Sequence, residues 1–227
     1  CGDGGGGAEH NGEIGSAVFI NTSGTLDSLE VYDTFDLPGT SAVFQAVNVH
    51  ASGSLTFGPG FTLKVGMLNI DTGAVLRAGG GSTVTVDDTL WVADGATMLC
   101  RGLNTTNRVD GAWAGLGVTI QAANVVVEPN GRITADAQGY VGGLLTGAPG
   151  AGPGGGRYGG DTWRTGGGGY GGPGGLAING GIPGVINGSQ TRPTDLGSGG
   201  SADSDGSNLG GSGGGAVRPA CGACGGG

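Results

Sequence analysis

From about residue 16 to residue 140 the chain alternates apolar and polar positions in short runs, each closed by glycine or a small polar pair. Val43, Gln45 and Val47 alternate with Phe44, Ala46 and Asn48, and Val84 and Val86 with Thr83 and Thr85. Leu90 and Val92 flank Trp91, and Val118 with Ile120 and Val125 with Val127 make two further pairs. A period of two in segments rich in β-branched residues predicts strands of four to six residues.

The glycines between these runs align. Thr22-Ser23-Gly24-Thr25-Leu26, Ala51-Ser52-Gly53-Ser54-Leu55, Asp71-Thr72-Gly73-Ala74-Val75, Ala93-Asp94-Gly95-Ala96-Thr97 and Pro129-Asn130-Gly131-Arg132-Ile133 share one template. A small or polar pair precedes the glycine, and an apolar residue follows. Gly53, Gly73 and Gly95 stand about 20 residues apart, the mark of a solenoid in which each repeat is one coil. The wider gaps, Gly24 to Gly53 and Gly95 to Gly131, hold either an insertion or a disguised repeat, with Pro38-Gly39 a candidate turn in the first. An antiparallel sandwich also uses short strands, but it gives no reason for a recurring template.

Residues 141–227 break the alternation and hold most of the 59 glycines. Gly166, Gly169, Gly172 and Gly175 are three apart, as are Gly181 and Gly184. That step suits polyproline-II strands, where glycine lets backbones approach. The expected organisation is all-β. A flexible glycine-rich leader (1–15) precedes a parallel β-solenoid, or β-helix (16–140), and a glycine-rich, polyproline-II-like region (141–227) packs on the solenoid or extends it.

Composition narrows the function. Charged residues are 12% of the chain and the net charge is −9. Without a Lys/Arg run, nucleic-acid binding has no electrostatic footing. No apolar run approaches the roughly 18 residues of a membrane span. Cys1 followed by Gly2–Gly7 resembles the start of a mature bacterial lipoprotein, which implies a lipid anchor at Cys1. The alternative is that Cys1 joins Cys100, Cys221 and Cys224 as disulfide candidates, which implies an oxidising compartment.

The segments Leu68-Asn69-Ile70-Asp71-Thr72-Gly73 and Leu90-Trp91-Val92-Ala93-Asp94-Gly95 resemble repeats of right-handed parallel β-helices in bacterial surface proteins, such as autotransporter passengers and adhesin-like proteins. Gly154-Gly155-Gly156-Arg157-Tyr158-Gly159-Gly160 is similar to a glycine-rich insertion seen in some of them. In such proteins further coils usually follow. Here Arg218-Pro219 and the Cys-Gly-rich end are read as replacing the next strand. The resemblance implies architecture and an extracellular or cell-surface location, and no single activity.

Candidate chemistry is sparse. Asp71, Asp87, Asp88 and Asp94 are the carboxylates that a polysaccharide-active enzyme would need to cluster. All four fall at bends, where aspartate caps its own turn, and neither His10 nor His50 shows a partner. Asp203, Asp205 and Asn208 resemble the start of a calcium loop without its later acidic ligand, against a plain solvated loop. Asn21, Asn104 and Asn187 fit the N-glycosylation pattern. Tyr158, Trp163 and Tyr170 could stack on sugars or fill space left by glycine. No cofactor other than calcium is suggested.

The reading that follows is a non-enzymatic building block of an extracellular filament, sheath or surface layer, self-associating head to tail through open solenoid ends. Its rival is a monomeric surface adhesin or module binding polysaccharide, and a minor third is a polysaccharide-active enzyme.

Overall fold

The computed structural model describes residues 18–21, 28–160, 165–176, 180–191, 193–205 and 207–221. Twelve strands run through them: β1 (Val18–Asn21), β2 (Ser28–Val31), β3 (Thr34–Leu37), β4 (Ser41–Val49), β5 (Ser54–Phe57), β6 (Thr62–Ile70), β7 (Val75–Ala78), β8 (Thr83–Val92), β9 (Thr97–Cys100), β10 (Val118–Val127), β11 (Arg132–Thr134) and β12 (Val217–Cys221). β1 and the even-numbered strands form one sheet in the order β1-β2-β4-β6-β8-β10-β12, and the odd-numbered strands from β3 on form the second, β11-β9-β7-β5-β3. Every pairing is parallel except β1 with β2. This is a parallel β-solenoid, and no helix occurs among the described residues. Seven strands at ~4.8 Å spacing make a stack about 30 Å tall.

The core follows from the period of two. Leu29, Val47, Leu68 and Leu90 stack in register, and so do Val31, Val49, Ile70 and Val92; all eight are buried. Opposite them the short sheet contributes Leu55, Phe57, Leu76, Ala78, Met98 and Cys100. Full burial of one such aliphatic side chain contributes about 1.5–3 kcal/mol. The ladders, not any single coil, hold the fold together.

At the corner after each long strand, the N–H groups of Gly53, Ala74, Ala96 and Gly131 donate to the carbonyls of His50, Asp71, Ala93 and Glu128 at 2.7–3.0 Å. The third residue of each turn has positive φ: Ser52 (68°), Gly73 (74°), Gly95 (71°) and Asn130 (60°). Structural register therefore sets Ser52 against Gly73, one residue away from the glycine alignment expected from sequence. Gly53 and Gly131 occupy the next slot, where a Cβ would come within 2.6 Å of the Val31 carbonyl and 2.7 Å of the Ala93 carbonyl. That slot needs a small residue for closeness, and the slot before it needs a tolerated positive φ.

The two wide gaps resolve differently. In the first, Tyr32-Asp33 makes a corner without glycine and Pro38-Gly39 makes the next bend, so a disguised repeat fills it. The second holds an insertion, residues 101–117, with bridges Leu103–Leu116 and Val109–Ala112.

Between β11 and β12 lies the glycine layer. The N–H of Tyr140 donates to Gly197 and, three residues on, that of Gly143 donates to Gly200. Gly213 and Gly210 return the same step to Tyr140 and Gly143, and Gly197 and Gly200 donate to Gly214 and Gly211. Three segments thus bind one another pairwise at a three-residue step, the repeat of polyproline-II strands. Gly166, Gly169, Gly181 and Gly184 each face a backbone carbonyl too close for a Cβ, as the spacing predicts, whereas Gly172 and Gly175 do not. Tyr140, Leu196 and Ala216 form a small second core with Trp113 and Ala151.

One expectation is overturned. Residues 217–221 form a solenoid strand, paired in parallel with Val118–Ala122, instead of replacing one. Pro219 is compatible because it pairs opposite Ile120 on the outermost strand. The Val118 N–H reaches the Ala216 carbonyl, so by alternation Arg218 and Ala220 bond inward and position 219 faces the open side.

Candidate functional site

Three features stand out: a polar ladder at one corner, an uncovered coil edge, and the surfaces of the glycine layer.

The ladder centres on His50. Its Nε2 lies 2.7 Å from Glu30 Oε2 and its Nδ1 lies 3.1 Å from Asp71 Oδ2, with the three residues on successive coils. A carboxylate only accepts, so both contacts are hydrogen bonds when both ring nitrogens carry hydrogen. Beside it Asn69 donates to Asn48 at 2.7 Å, and Asn48 donates to Glu30 at 2.8 Å. The expected lack of a partner for His50 is therefore corrected. Aligned glycines do not reveal this cluster: His50 stands in register with Asp71, but Glu30 stands in register with Asn48 and reaches His50 on the diagonal. The corner carboxylates also act differently from the self-capping expected of them. At the corners Asp71 takes His50 and Asp94 accepts from Asn130 of the next coil at 2.9 Å, so both tie coil to coil. Asp87 and Asp88, expected at a bend, lie inside β8 instead; Asp87 sits 3.6 Å from Lys64 of the preceding coil, and Asp88 accepts from the neighbouring Thr89 hydroxyl. No group of three or more His, Cys, Asp or Glu among the described residues could hold a metal ion.

The edge that no strand covers among the described residues is the far half of β10. β12 covers Val118–Ala122 only, and beyond it Val125, Val126 and Val127 are 38%, 38% and 44% exposed. The Glu128 N–H donates to Val92 in β8. Alternation in a parallel ladder then turns the amides and carbonyls of Val125 and Val127 to the open side. At the opposite end β2 pairs only with Ala46–Val49, so Ser41–Gln45 of β4 lacks a neighbour there among the described residues. Val125 and Val127 form a strand pair, as the alternation predicts. They continue the Leu90 and Val92 ladders, but no strand among the described residues pairs above them.

The remaining candidates are dispersed. Cys100 is buried in the solenoid core as a free thiol, which corrects its assignment as a disulfide candidate; burial pushes it up to about 12. Cys1, Cys224 and the side chain of Cys221 lie outside the described residues, as do residues 1–15, Trp163 and the Asn21 side chain. Asn104 is half-buried with φ 55°, and its amide donates to the Ala114 carbonyl at 3.1 Å. Asn187 is half-buried with Oδ1 enclosed. Tyr170 fills space against Gly188, and its hydroxyl accepts from the Thr194 and Asp195 amides at 2.9 and 3.1 Å. Tyr158 lies 3.5 Å from where a Gly147 Cβ would stand.

Asp203, Asp205 and Asn208 do come together. Asp203 is 2% exposed, and its Oδ2 accepts from Ser207 Oγ and from the Asn208 backbone and side-chain amides at 2.7–3.1 Å. Asp205 accepts from the Ser207 amide at 2.8 Å. Burial raises the Asp203 carboxyl, but hydrogen bonds donated by Asn208 and Ser207 outweigh it and bring it down to about 2. Asn208 and Ser207 thus present donors to the carboxylate, where calcium would require oxygens.

No protein-family model, curated protein or solved structure matches this chain. No helix among the described residues is long and apolar enough to cross a membrane. The class defined is that of the parallel β-solenoids.

Proposed function

We propose that this chain is a structural building block of an extracellular or cell-surface filament, sheath or layer, joined to its neighbours through its coil ends. The observation that carries this reading is the uncovered edge Asn124–Val127. Three adjacent valines there stand exposed beside backbone groups that have no partner among the described residues. Proteins normally blunt such edges with charge, proline or a covering segment, because a bare one templates pairing with another chain. A head-to-tail contact of unlike ends grows an open filament wherever its rotation does not close into a ring. The stacked core adds stiffness, and each further coil would extend the same ladders. The resemblance of the repeats to bacterial surface β-helices supports the location. Electron microscopy of the purified protein tests the proposal: fibres or sheets that grow with concentration support it, and particles that stay monomeric at high concentration contradict it.

A further inference from the structure

We propose that the glycine layer carries a binding groove for an acidic saccharide, built from Arg108, Trp113 and Arg157. The construction starts at Asp110-Gly111. Both residues have positive φ, 49° and 79°, as a type I′ hairpin turn requires, and Val109 and Ala112 exchange backbone hydrogen bonds at 2.9 and 3.0 Å across it. The next cross-strand pair is Arg108 and Trp113, and the guanidinium carbon lies 5.3 Å from the indole centroid. Trp113 is held in turn by Tyr140, edge to face at 5.2 Å, and the Tyr140 hydroxyl accepts from the Gly115 amide. Arg108 is therefore pre-positioned by stacking, which leaves its edge N–H groups for a ligand.

Facing it across a hollow of about 160 Å³ are Pro149, Pro153 and Arg157. Arg157 is pinned through its backbone, which exchanges hydrogen bonds with Ile182 at 2.9 and 3.1 Å. A second hollow of about 180 Å³ shares Pro153 and Arg157 with the first and continues over Ile182, Pro183 and Val185. Each is smaller than the roughly 300 Å³ of a drug-sized pocket, so each takes one small ring. The chain has nine basic residues against eighteen acids. Two of the nine converge here, and neither has an ion-pair partner among the described residues. Walls of glycine backbone and proline rings keep the groove open without side-chain ordering on binding. Two guanidinium forks ask for a carboxylate or sulfate, and the apolar floor beside them suits the face of the adjoining sugar ring.

The test is calorimetric titration of the full chain with a galacturonate tetramer, a sulfated tetrasaccharide, a neutral galactose tetramer and sodium sulfate alone. Binding of either acidic oligomer, weakened about tenfold or more in Arg108→Gln and in Arg157→Gln and unchanged in Arg132→Gln, supports the assignment; which oligomer binds identifies the anionic group. The neutral tetramer or sulfate alone binding as tightly as the acidic oligomers would overturn it, as would no binding by any of them. The groove shares no residue with the coil edge, so loss of assembly leaves this result readable.

Discussion

The imidazole of His50 lies flat against the ring of Tyr32, centroids 4.1 Å apart and planes 12° from parallel. This stack holds the ring edge-on between Glu30 and Asp71, so one side chain ties three coils. Charge-assisted hydrogen bonds are roughly twice as strong as neutral ones, but partial exposure screens them. His50→Ala should lower unfolding stability by about 1–2 kcal/mol, and Glu30→Gln should cost less on its own. A double-mutant cycle by chemical denaturation should then show coupling between the two positions; simple additivity would mean the ladder is not a clasp.

Glycine does two different jobs, and alanine substitution separates them. A Cβ at Gly150 would fall on the Gly199 carbonyl, and one at Gly184 on the Gly154 carbonyl. Gly150→Ala and Gly184→Ala should each cost about 2 kcal/mol through overpacking. Gly175 and Gly214 have open space at that position and no positive φ. Alanine there should be neutral, or stabilising by up to about 1 kcal/mol through the unfolded chain. Equal effects at all four positions in thermal melts would contradict the close-packed layer.

Cys100 makes a prediction about pH. Its folded value is raised from 9.0 to about 12 by burial, so the folded state disfavours the thiolate. Below pH 9 both states hold the proton and nothing is lost. As pH rises from 9 towards 12 the unfolded chain ionises first, and stability falls. Cys100→Ser should flatten that fall in denaturant midpoints measured across the window. In the native protein a thiol reagent should leave Cys100 unmodified until denaturant is added.

Much of this architecture is legible in the alternation of apolar residues. The ladders through Leu68 and Ile70 follow from period and β-branching alone. Corner register does not, because two adjacent slots favour glycine for unrelated reasons. Ser52 and Asn130 fill the positive-φ slot, so aligning on glycine slips by one. Pro219 concealed β12, since a missing N–H matters only on the side that bonds. The Glu30–His50–Asp71 clasp is hidden because Glu30 stands in register with Asn48, so its contact with His50 crosses the coils on a diagonal. Arg108 and Trp113 needed the Asp110-Gly111 turn to be read as a hairpin, and Tyr140 fills its site through contacts with residues distant in sequence.

Assembly through the coil end depends on the part of the β10 edge that no described strand covers. Val125 is 38% exposed and its backbone faces the open side, so a lysine there can reach water while setting a charge where another strand would pair. Sedimentation velocity of the wild type and of Val125→Lys, each across a hundredfold range of concentration, measures this directly. We predict that the wild type grows into large species with rising concentration while the variant stays a folded monomer. Identical behaviour of the two, whether both assemble or both remain single, would contradict it.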